Sequence, residues 1–496
     1  MTLPPSSFSR RWVLGALLAG AAPGALAEPL ARSLRPSPRP DPTAKIPKAE
    51  DLVARVALSG KLGFAVADVA TGELLEVRNP LLGLPPASVT KSLTALYALD
   101  ALGPDYRFVT RVIATGPLVN GRIEGDLVLE GGGDPTLDTD MLGELAGQIK
   151  AAGVRELRGR FLYDHHALPD LPLIDPEQPP HVGYNPAISG LNLNYNRVHF
   201  EWRRTGARYD VSMDARATRY SPEVSVARMQ VVNRAAPIYT YSSKGGVDEW
   251  TVARDALGNA GARWLPVRRP ALYCAEVFQT LARAHGIVLP SPEAGSAPAE
   301  GTVLARRESA PLSEILRDML KYSTNMTAEV VGLSASIARG LYPLSLAESG
   351  QRMSDWLGTR MGARKAQFVD HSGLGGASRI SAVEMVRALV EAAPDGQLKP
   401  LLKTIPMRDA KGRPLAQSPA EIHAKTGTLN FVSALAGYIT PPNGRELAFA
   451  IFSADEARRD SLTIQQRDRP EGGHVWIARA RRLQRELIER WVTIYV

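Results

Sequence analysis

The pattern of apolar positions predicts strands towards both ends of the chain and several helices between and after them. Apolar and polar residues alternate over 63–69 and again over 73–77, which predicts a β-hairpin. Three further runs predict strands, at residues 422–428, 431–439 and 446–452. Apolar residues at helical spacing predict helices near residues 93–102, 275–285, 312–339, 381–392 and 474–491. Residues from about 106 to 301 mix short strands with turns.

The first 47 residues have the pattern of an export signal followed by a linker. Arg10 and Arg11 precede an apolar run over residues 12–22, and an Ala-x-Ala cleavage site ends at Ala27. The arginine pair resembles the twin-arginine signal, although it would also suit the general secretory route. Five prolines follow between residues 34 and 47, which favours an extended linker. We therefore predict a signal peptide over residues 1–27, a proline-rich linker over residues 28–47, and a periplasmic protein exported by the twin-arginine route.

Composition restricts the classes of protein that remain. The chain has 496 residues, of which 44% are hydrophobic, so it can bury a large core and contain several domains. Its single cysteine, Cys274, excludes an internal disulfide and cysteine-rich metal sites. The formal net charge of +8 suits an anionic partner, but no nucleic-acid-binding motif accompanies it, so we predict no nucleic-acid partner. After the signal, no stretch is apolar enough for an integral membrane segment.

The first candidate for chemistry is Ser88, with Lys91 three residues later at the start of a predicted helix. This spacing places both side chains on one helix face, so the lysine amine can reach the serine hydroxyl. A serine is a weak nucleophile until a neighbouring base accepts its proton, and a lysine can do so when burial or positive charge lowers its pKa. The pair is a weak signal alone, because one such pair is expected by chance in a chain of this length.

Two more short motifs lie in the carboxy-terminal half. Ser323-Thr324-Asn325 precedes an apolar helix, and alone it is typical of a helix cap or loop. Residues 425–428 read Lys-Thr-Gly-Thr within a predicted strand. A glycine in a strand lets another backbone approach, and an extended peptide can bind along such a strand.

Together, in this order, the three motifs match the signature of β-lactamases and penicillin-binding proteins. The stretch between Ser88 and Ser323 is far longer than a compact β-lactamase needs. This layout resembles the D-alanyl-D-alanine carboxypeptidase/endopeptidase family, the class C low-molecular-mass penicillin-binding proteins, over essentially the whole mature chain. Further segments support the resemblance, at residues 125–137, 189–196 and 370–374. Thr324 departs from the family, in which aspartate is frequent at that position.

The resemblance implies an α+β fold with a penicillin-binding or serine β-lactamase-like domain, in which an antiparallel sheet is flanked by helices. Residues 48–105 and 302–496 would form this peptidase domain. A large insertion over residues 106–301 would form one or two extra, mostly β domains, with an inner domain at roughly residues 200–250.

The resemblance also assigns roles to individual residues. Ser88 would attack the carbonyl of the D-Ala-D-Ala bond, Lys91 would act as general base, and Ser323 would relay a proton to the leaving amine. Asn325 would hold Lys91 and the substrate. Substrate binding is carried over to Lys425, Thr426, Gly427 and Thr428, and the backbone N–H groups of Ser88 and Thr428 would form the oxyanion hole. We expect Lys425 to lower the pKa of Lys91 and to attract the substrate carboxylate.

The implied partners are peptidoglycan, its stem peptides and β-lactam antibiotics, which would acylate Ser88. No cofactor is expected, and no metal: adjacent histidines such as His165 and His166 would point to opposite faces of a strand. Residues 373–376 are predicted to form a flexible loop near the active site. Two alternatives stay open, a β-lactamase or esterase that uses the same serine, and a non-catalytic cell-wall binding protein.

Overall fold

The computed structural model of the chain describes residues 46–408, 413–442 and 444–495. The predicted signal peptide and nearly all of the predicted linker lie outside these residues. The helices in the described residues are α1 (Ala49–Val56), α2 (Thr90–Leu102), α3 (Thr139–Ala151), α4 (Pro270–Ala284), α5 (Leu312–Tyr322), α6 (Asn325–Ala338), α7 (Leu346–Arg360), α8 (Ala382–Ala392), α9 (Glu456–Asp460) and α10 (Gly473–Tyr495).

The strands fall into five sheets. They are β1 (Lys61–Asp68), β2 (Leu74–Arg78), β3 (Val109–Ala114), β4 (Leu118–Val119), β5 (Arg122–Ile123), β6 (Leu127–Gly131), β7 (Glu156–Leu157), β8 (Phe161–Asp164), β9 (Arg197–Thr205), β10 (Arg208–Asp214), β11 (Ala227–Val232), β12 (Tyr239–Lys244), β13 (Val247–Ala253), β14 (Ala260–Pro266), β15 (Pro292–Ala294), β16 (Thr302–Glu308), β17 (Lys403–Thr404), β18 (Glu421–Leu429), β19 (Val432–Thr440) and β20 (Leu447–Ala454).

The largest sheet joins the two ends of the described chain. Its order is β17-β18-β19-β20-β1-β2, and every neighbouring pair is antiparallel. The amino-terminal hairpin therefore pairs with β20, the last strand in sequence. The predicted hairpin, the three predicted carboxy-terminal strands and the predicted α+β class with an antiparallel sheet are confirmed.

The two faces of this sheet bury side chains of different size. Large residues such as Phe64 and Phe449 face the terminal helices, where they pack with Trp491 of α10. The alternate positions, such as Ala65 and Ala448, belong to the core formed with α2, α5, α6, α7 and α8. Since successive strand residues point to opposite faces, small residues on one face let α8 approach the sheet backbone closely.

The carboxy-terminal amphipathic helix packs on the sheet, as predicted. Trp476, Leu483, Leu487 and Trp491 are buried along one stripe of α10. None of the helices in the described ranges has the length and apolar character required to cross a bilayer.

The predicted helix over residues 312–339 is two helices. Ser323 has a left-handed backbone (φ 59°, ψ 38°) that ends α5, and α6 begins two residues later at Asn325. Helix α4 begins at Pro270, five residues before the predicted start, with proline at a position that needs no N–H donor. Helices α1, α3, α7 and α9 were not predicted.

Strands β3–β16 build the other four sheets. A five-stranded sheet has the order β15-β8-β6-β3-β16, and three three-stranded sheets have the orders β10-β9-β14, β11-β13-β12 and β4-β5-β7. They share one hydrophobic core with α3 and α4, which contains Phe161, Phe200, Trp250 and Phe278. Strand β16 pairs with β3, so the five-stranded sheet continues to Glu308.

Candidate active site

Ser88 lies in a 3₁₀ turn, Ala87–Val89, that leads directly into α2. Ala87 before it has a positive φ of 46°, a conformation that costs a non-glycine residue on the order of 1 kcal/mol. Lys91 lies one turn further on, and its Nζ is 3.1 Å from the Oγ of Ser88. The structure therefore brings the predicted nucleophile and base into hydrogen-bond contact.

Lys91 is completely buried and makes three hydrogen bonds. Besides Ser88, its Nζ donates to Asn325 Oδ1 and to the carbonyl oxygen of Ser372, each at 2.7 Å. Burial is the main cause that lowers the pKa of Lys91 to about 8, while the nearby carboxylates of Glu329 and Asp370 raise it. Of the two causes expected from the sequence, burial and the charge of Lys425, burial is the principal one.

Ser323 and Asn325 lie at the junction between α5 and α6. The left-handed turn at Ser323 directs its Oγ toward Lys425, whose Nζ is 3.0 Å away. Asn325 is the first residue of α6 and bonds two parts of the site: its Oδ1 accepts from Lys91, and its Nδ2 donates to the carbonyl of Tyr184 at 2.9 Å. The Ser323-Thr324-Asn325 motif is therefore hydrogen-bonded to both other motifs, through Lys91 and Lys425.

Lys425 is buried and uses its amine inside the protein. Its Nζ donates to Ser323 Oγ and to the carbonyl of Thr426, at 2.8 Å. Burial lowers the pKa of Lys425, and the charge of Lys91 lowers it further. A protonated lysine has three N–H donors, so one remains beyond these two hydrogen bonds.

Gly427 allows β18 to approach the nucleophile. A methyl group at this position would lie 2.6 Å from the carbonyl oxygen of Pro86 and 3.0 Å from the backbone nitrogen of Ser88. The close approach predicted for this glycine is therefore present. It puts the backbone of Ser88 beside that of β18, near Thr428.

The motif strand β18 has an open edge next to the nucleophile. Strand β17 pairs only with Ala424 and His423, so in the described part of the chain residues 425–429 have no partner on that side. Thr426 and Thr428 are exposed, whereas Lys425 and Gly427 are buried. A peptide can add to such an edge as a further strand.

Two buried carboxylates beneath Lys91 were not found from the sequence. Glu329 of α6 accepts from the backbone nitrogens of His371 and Ser372, at 2.9 and 2.8 Å. Burial raises its pKa to about 8, and the two N–H donors oppose that shift. It lies one helical turn after Asn325 on the same face of α6, and it is the only charged residue in that helix. A single charged residue in an otherwise uncharged helix was the sequence signal that could have identified Glu329 as a site residue.

The second carboxylate, Asp370, holds the segment that follows it. It accepts from the backbone nitrogens of Gly373 and Gly375 at 2.8 and 2.6 Å, and burial raises its pKa to about 6. A methyl group at Gly373 would lie 1.9 Å from the carbonyl oxygen of Ala87. The predicted loop near the active site is present, and it is hydrogen-bonded to Asp370 and packed against the turn that carries Ser88.

The cleft beside Ser88 has a volume of about 510 Å³. Tyr184 and Gln178, from the segment between β8 and β9, line it together with Ser323 and Asn325. The lining also contains Arg459, Arg467, Arg469, Arg481 and His474, and one carboxylate, Asp468, so basic residues outnumber acidic ones. The cleft therefore suits an anionic, extended ligand.

The other side chains that we considered lie elsewhere. His165 and His166 follow the end of β8, and their rings stack with centroids 4.8 Å apart, so the argument that they point to opposite faces of a strand is wrong. The Nδ1 of each ring contacts a carboxylate oxygen, of Asp170 for His165 at 2.9 Å and of Asp164 for His166 at 2.7 Å. Cys274 is buried in α4, and burial raises its pKa, as expected for an inert thiol.

Comparisons with known proteins agree with this geometry. The model of the D-Ala-D-Ala carboxypeptidase 3 (S13) family matches residues 48–469. A D-alanyl-D-alanine carboxypeptidase of Actinomadura sp. is 31% identical, over 82% of this chain and 80% of that protein. The D-alanyl-D-alanine carboxypeptidase DacB of Haemophilus influenzae is 25% identical, over 83% and 89%. The crystal structure of penicillin-binding protein 4 from H. influenzae has a TM-score of 0.71 at 20% identity, covering 89% of this chain and 99% of that one.

These matches define a penicillin-binding fold. The chain belongs to the D-Ala-D-Ala carboxypeptidase 3 (S13) family. The predicted family, fold class and carboxypeptidase activity are thereby confirmed.

Proposed function

We propose that this protein cleaves D-Ala-D-Ala in peptidoglycan stem peptides through an acyl-enzyme on Ser88. Lys91 removes the proton from Ser88, Ser323 passes a proton to the leaving amine, and Asn325 orients Lys91. Residues 425–428 bind the substrate along β18, and the N–H groups of Ser88 and Thr428 stabilise the oxyanion.

The observation that carries this proposal is the hydrogen bonding of Lys91. Two of its three partners, Asn325 Oδ1 and the Ser372 carbonyl, are acceptors only, so they hold two N–H groups of the amine. The neutral amine then directs its lone pair at the third partner, the Ser88 hydroxyl at 3.1 Å. With its pKa near 8, a useful fraction of Lys91 is neutral at physiological pH.

The reaction follows from these positions. Ser88 Oγ bonds to the carbonyl carbon of the penultimate D-alanine, and the C–N bond then breaks as the terminal D-alanine leaves with a proton. Water hydrolyses the ester and regenerates Ser88. The same steps would cut a cross-link when the leaving amine belongs to a neighbouring stem, which gives endopeptidase activity. A β-lactam would form the same ester without rapid release.

The proposal also includes the sequence predictions on export and on domain boundaries. Export by the twin-arginine route to the periplasm rests on Arg10 and Arg11, and it would place the enzyme at its polymer substrate. The peptidase domain would comprise residues 48–105 and 302–496, and the insertion residues 106–301, with an inner domain at about 200–250. All six strands of the largest sheet come from residues 48–105 and 302–496, which supports this division. Strand β16 is the exception, because it pairs with β3 of the insertion and would be counted with it.

The test is the intact mass of the purified protein with and without benzylpenicillin. We expect one penicilloyl adduct on the wild type and none on Ser88→Ala. Ser92→Ala is the matched control, because Ser92 is buried one turn further along the same helix and does not line the cleft.

Other results would overturn the proposal. An adduct retained by Ser88→Ala would mean that another residue is the nucleophile. Rapid turnover of penicillin without a stable adduct would instead indicate a β-lactamase, and neither adduct nor turnover in folded protein would indicate a binding protein.

A further inference from the structure

The segment that joins α9 to α10, residues 461–472, runs beside the cleft, and we call it the strap. Its residues 467–469 line the same cleft as Ser88. The carbonyl of Arg467 accepts from Asn430 Nδ2 at 2.6 Å, and Asn430 directly follows β18. The strap is therefore attached at the carboxy-terminal end of the open edge to which a peptide can add.

The strap is also attached to a second part of the cleft lining, the segment between β8 and β9. Arg467 Nη1 donates to the carbonyl of Glu177 at 3.1 Å and to its Oε2 at 2.7 Å. The next residue, Asp468, has a carboxylate oxygen 3.5 Å from Nε2 of His181. Gln178, beside Glu177, lines the cleft. Arg467 thus connects two parts of the lining that are far apart in the sequence.

The segment between β8 and β9 is braced by its own hydrogen bonds. Asn185 Oδ1 accepts from the backbone nitrogen of Asp175 at 2.9 Å, and its Nδ2 donates to the carbonyl of Asp175 at 2.8 Å. Arg268 donates to the carbonyls of Pro172 and Pro180, at 3.0 and 2.8 Å. This segment therefore provides a fixed support for the strap.

Most of the strap is exposed, including residues 463–466, 468 and 469. A segment with few buried groups opens at a low cost in free energy. The side chain of Arg467 is different, since it is only 12% exposed. The 3.5 Å contact of Asp468 is longer than a normal hydrogen bond. The Arg467–Glu177 pair is therefore the contact that holds the strap to the braced segment.

The substrates of the proposed function differ in size on the two sides of the scissile bond. A short peptide that ends in D-Ala-D-Ala has one residue beyond that bond. A cross-linked dimer has a stem on each side, so one stem extends toward the carboxy-terminal end of β18 in either binding direction. The cleft, at about 510 Å³, has the volume of a site that encloses one small ligand.

We propose that the Arg467–Glu177 pair selects substrates by size. With the pair formed, the cleft admits short peptide ends, and the pair must break before a cross-linked substrate can occupy the cleft. This inference rests on the proposed function. Both side chains determine specificity and take no part in the chemical steps.

The test compares kcat/KM for a short substrate, diacetyl-L-Lys-D-Ala-D-Ala, with kcat/KM for a purified cross-linked muropeptide dimer. For the dimer we expect a rise of about fivefold in Arg467→Gln, which loses both hydrogen bonds to Glu177. The rise should be about twofold in Glu177→Gln, which keeps the carbonyl bond. The short substrate and acylation by benzylpenicillin should stay within about twofold of wild type, because neither requires the open form.

Two control variants change the same charges and leave the pair in place. Glu471→Gln removes an exposed carboxylate from the strap, and Arg469→Gln removes an exposed guanidinium two residues after Arg467. Neither should increase cleavage of the dimer. Amide hydrogen exchange over residues 461–472 should accelerate in Arg467→Gln and not in Glu471→Gln.

The two main substitutions change charge in opposite directions, so a shared rise identifies the pair as the cause. A rise with one and a fall with the other would show that charge attracts the dimer, and would overturn the proposal. Equal changes for both substrates, or unchanged hydrogen exchange in Arg467→Gln, would overturn it as well. Failure of the proposed function is distinct, because the wild type would then cleave neither substrate and gain no penicilloyl group on Ser88.

Discussion

The two sides of the catalytic cleft use their polar groups in opposite ways. Behind the surface that carries Ser88, in what we call the inner wall, Lys91, Glu329 and Lys425 are buried and hydrogen-bonded to protein. In the cleft lining, which we call the outer wall, Arg469 and Arg481 are exposed to solvent. Charges fixed in a low-dielectric interior act strongly on a reacting group, whereas exposed charges are screened. The inner wall is therefore suited to chemistry and the outer wall to recognition.

Replacement of Lys91 should give the largest effect. We expect Lys91→Met, which has a similar length but no base, to reduce the rate of Ser88 acylation by about 10²- to 10⁴-fold, the usual contribution of general base catalysis. The acylation rate measured with benzylpenicillin checks this.

Lys61→Met is the control, since Lys61 is an exposed lysine that pairs with Glu456 at 3.4 Å. An acylation rate within about threefold of wild type in folded Lys91→Met would mean that another group is the base.

Glu329→Gln should change how the rate depends on pH. The neutral form of Lys91 is reactive, so acylation should increase as pH rises through about 8. Glu329 raises the pKa of Lys91, so removing its charge lowers that pKa and moves the rise in rate to lower pH. The maximal rate should fall by about tenfold, because one of the two N–H groups that it holds loses its acceptor.

Glu384→Gln is the matched control for this shift. Glu384 is also buried and accepts from two backbone nitrogens, those of Lys365 and Ser381, but it caps α8 and does not contact Lys91. We expect it to lower stability and to leave the pH dependence of acylation in place. A Glu329→Gln enzyme that is slower at every pH by the same factor would show that Glu329 has only a structural role.

Short-range patterns in the sequence predicted the elements and the motifs, but not how the motifs share their contacts. Ser88 and Lys91 are three residues apart, so helix geometry alone predicts their contact. Glu329 was missed because its partners are backbone nitrogens of His371 and Ser372, and a backbone group leaves no mark in the sequence. What Lys425 can contact depends on which face of β18 its side chain occupies, and tertiary packing determines that.

The fold also contains elements that the sequence predicted and elements that it did not. Continuous apolar runs predicted β19 and β20 nearly to their ends, because both faces of this sheet are buried and such strands are apolar throughout. Helix α7 was missed, since its sequence is mostly polar and only a few positions, such as Met353 and Leu357, reach the core. The packed segment after Asp370 was predicted to be flexible because glycine composition does not reveal the carboxylate that holds it.

Replacement of an outer-wall arginine should have the smallest effect on kcat/KM, and high salt should remove that effect. Arg469 is exposed in the cleft, so we expect Arg469→Gln to reduce kcat/KM for an anionic peptide by only about two- to threefold, with kcat unchanged. Raising ionic strength from about 0.01 to about 1 M shortens the screening length from roughly 30 to roughly 3 Å, which should abolish the difference from wild type. Arg479→Gln is the control, because Arg479 is exposed on α10 outside the cleft lining. A salt-resistant loss, or a loss in kcat, would place Arg469 in the reacting machinery and contradict the division between the two walls.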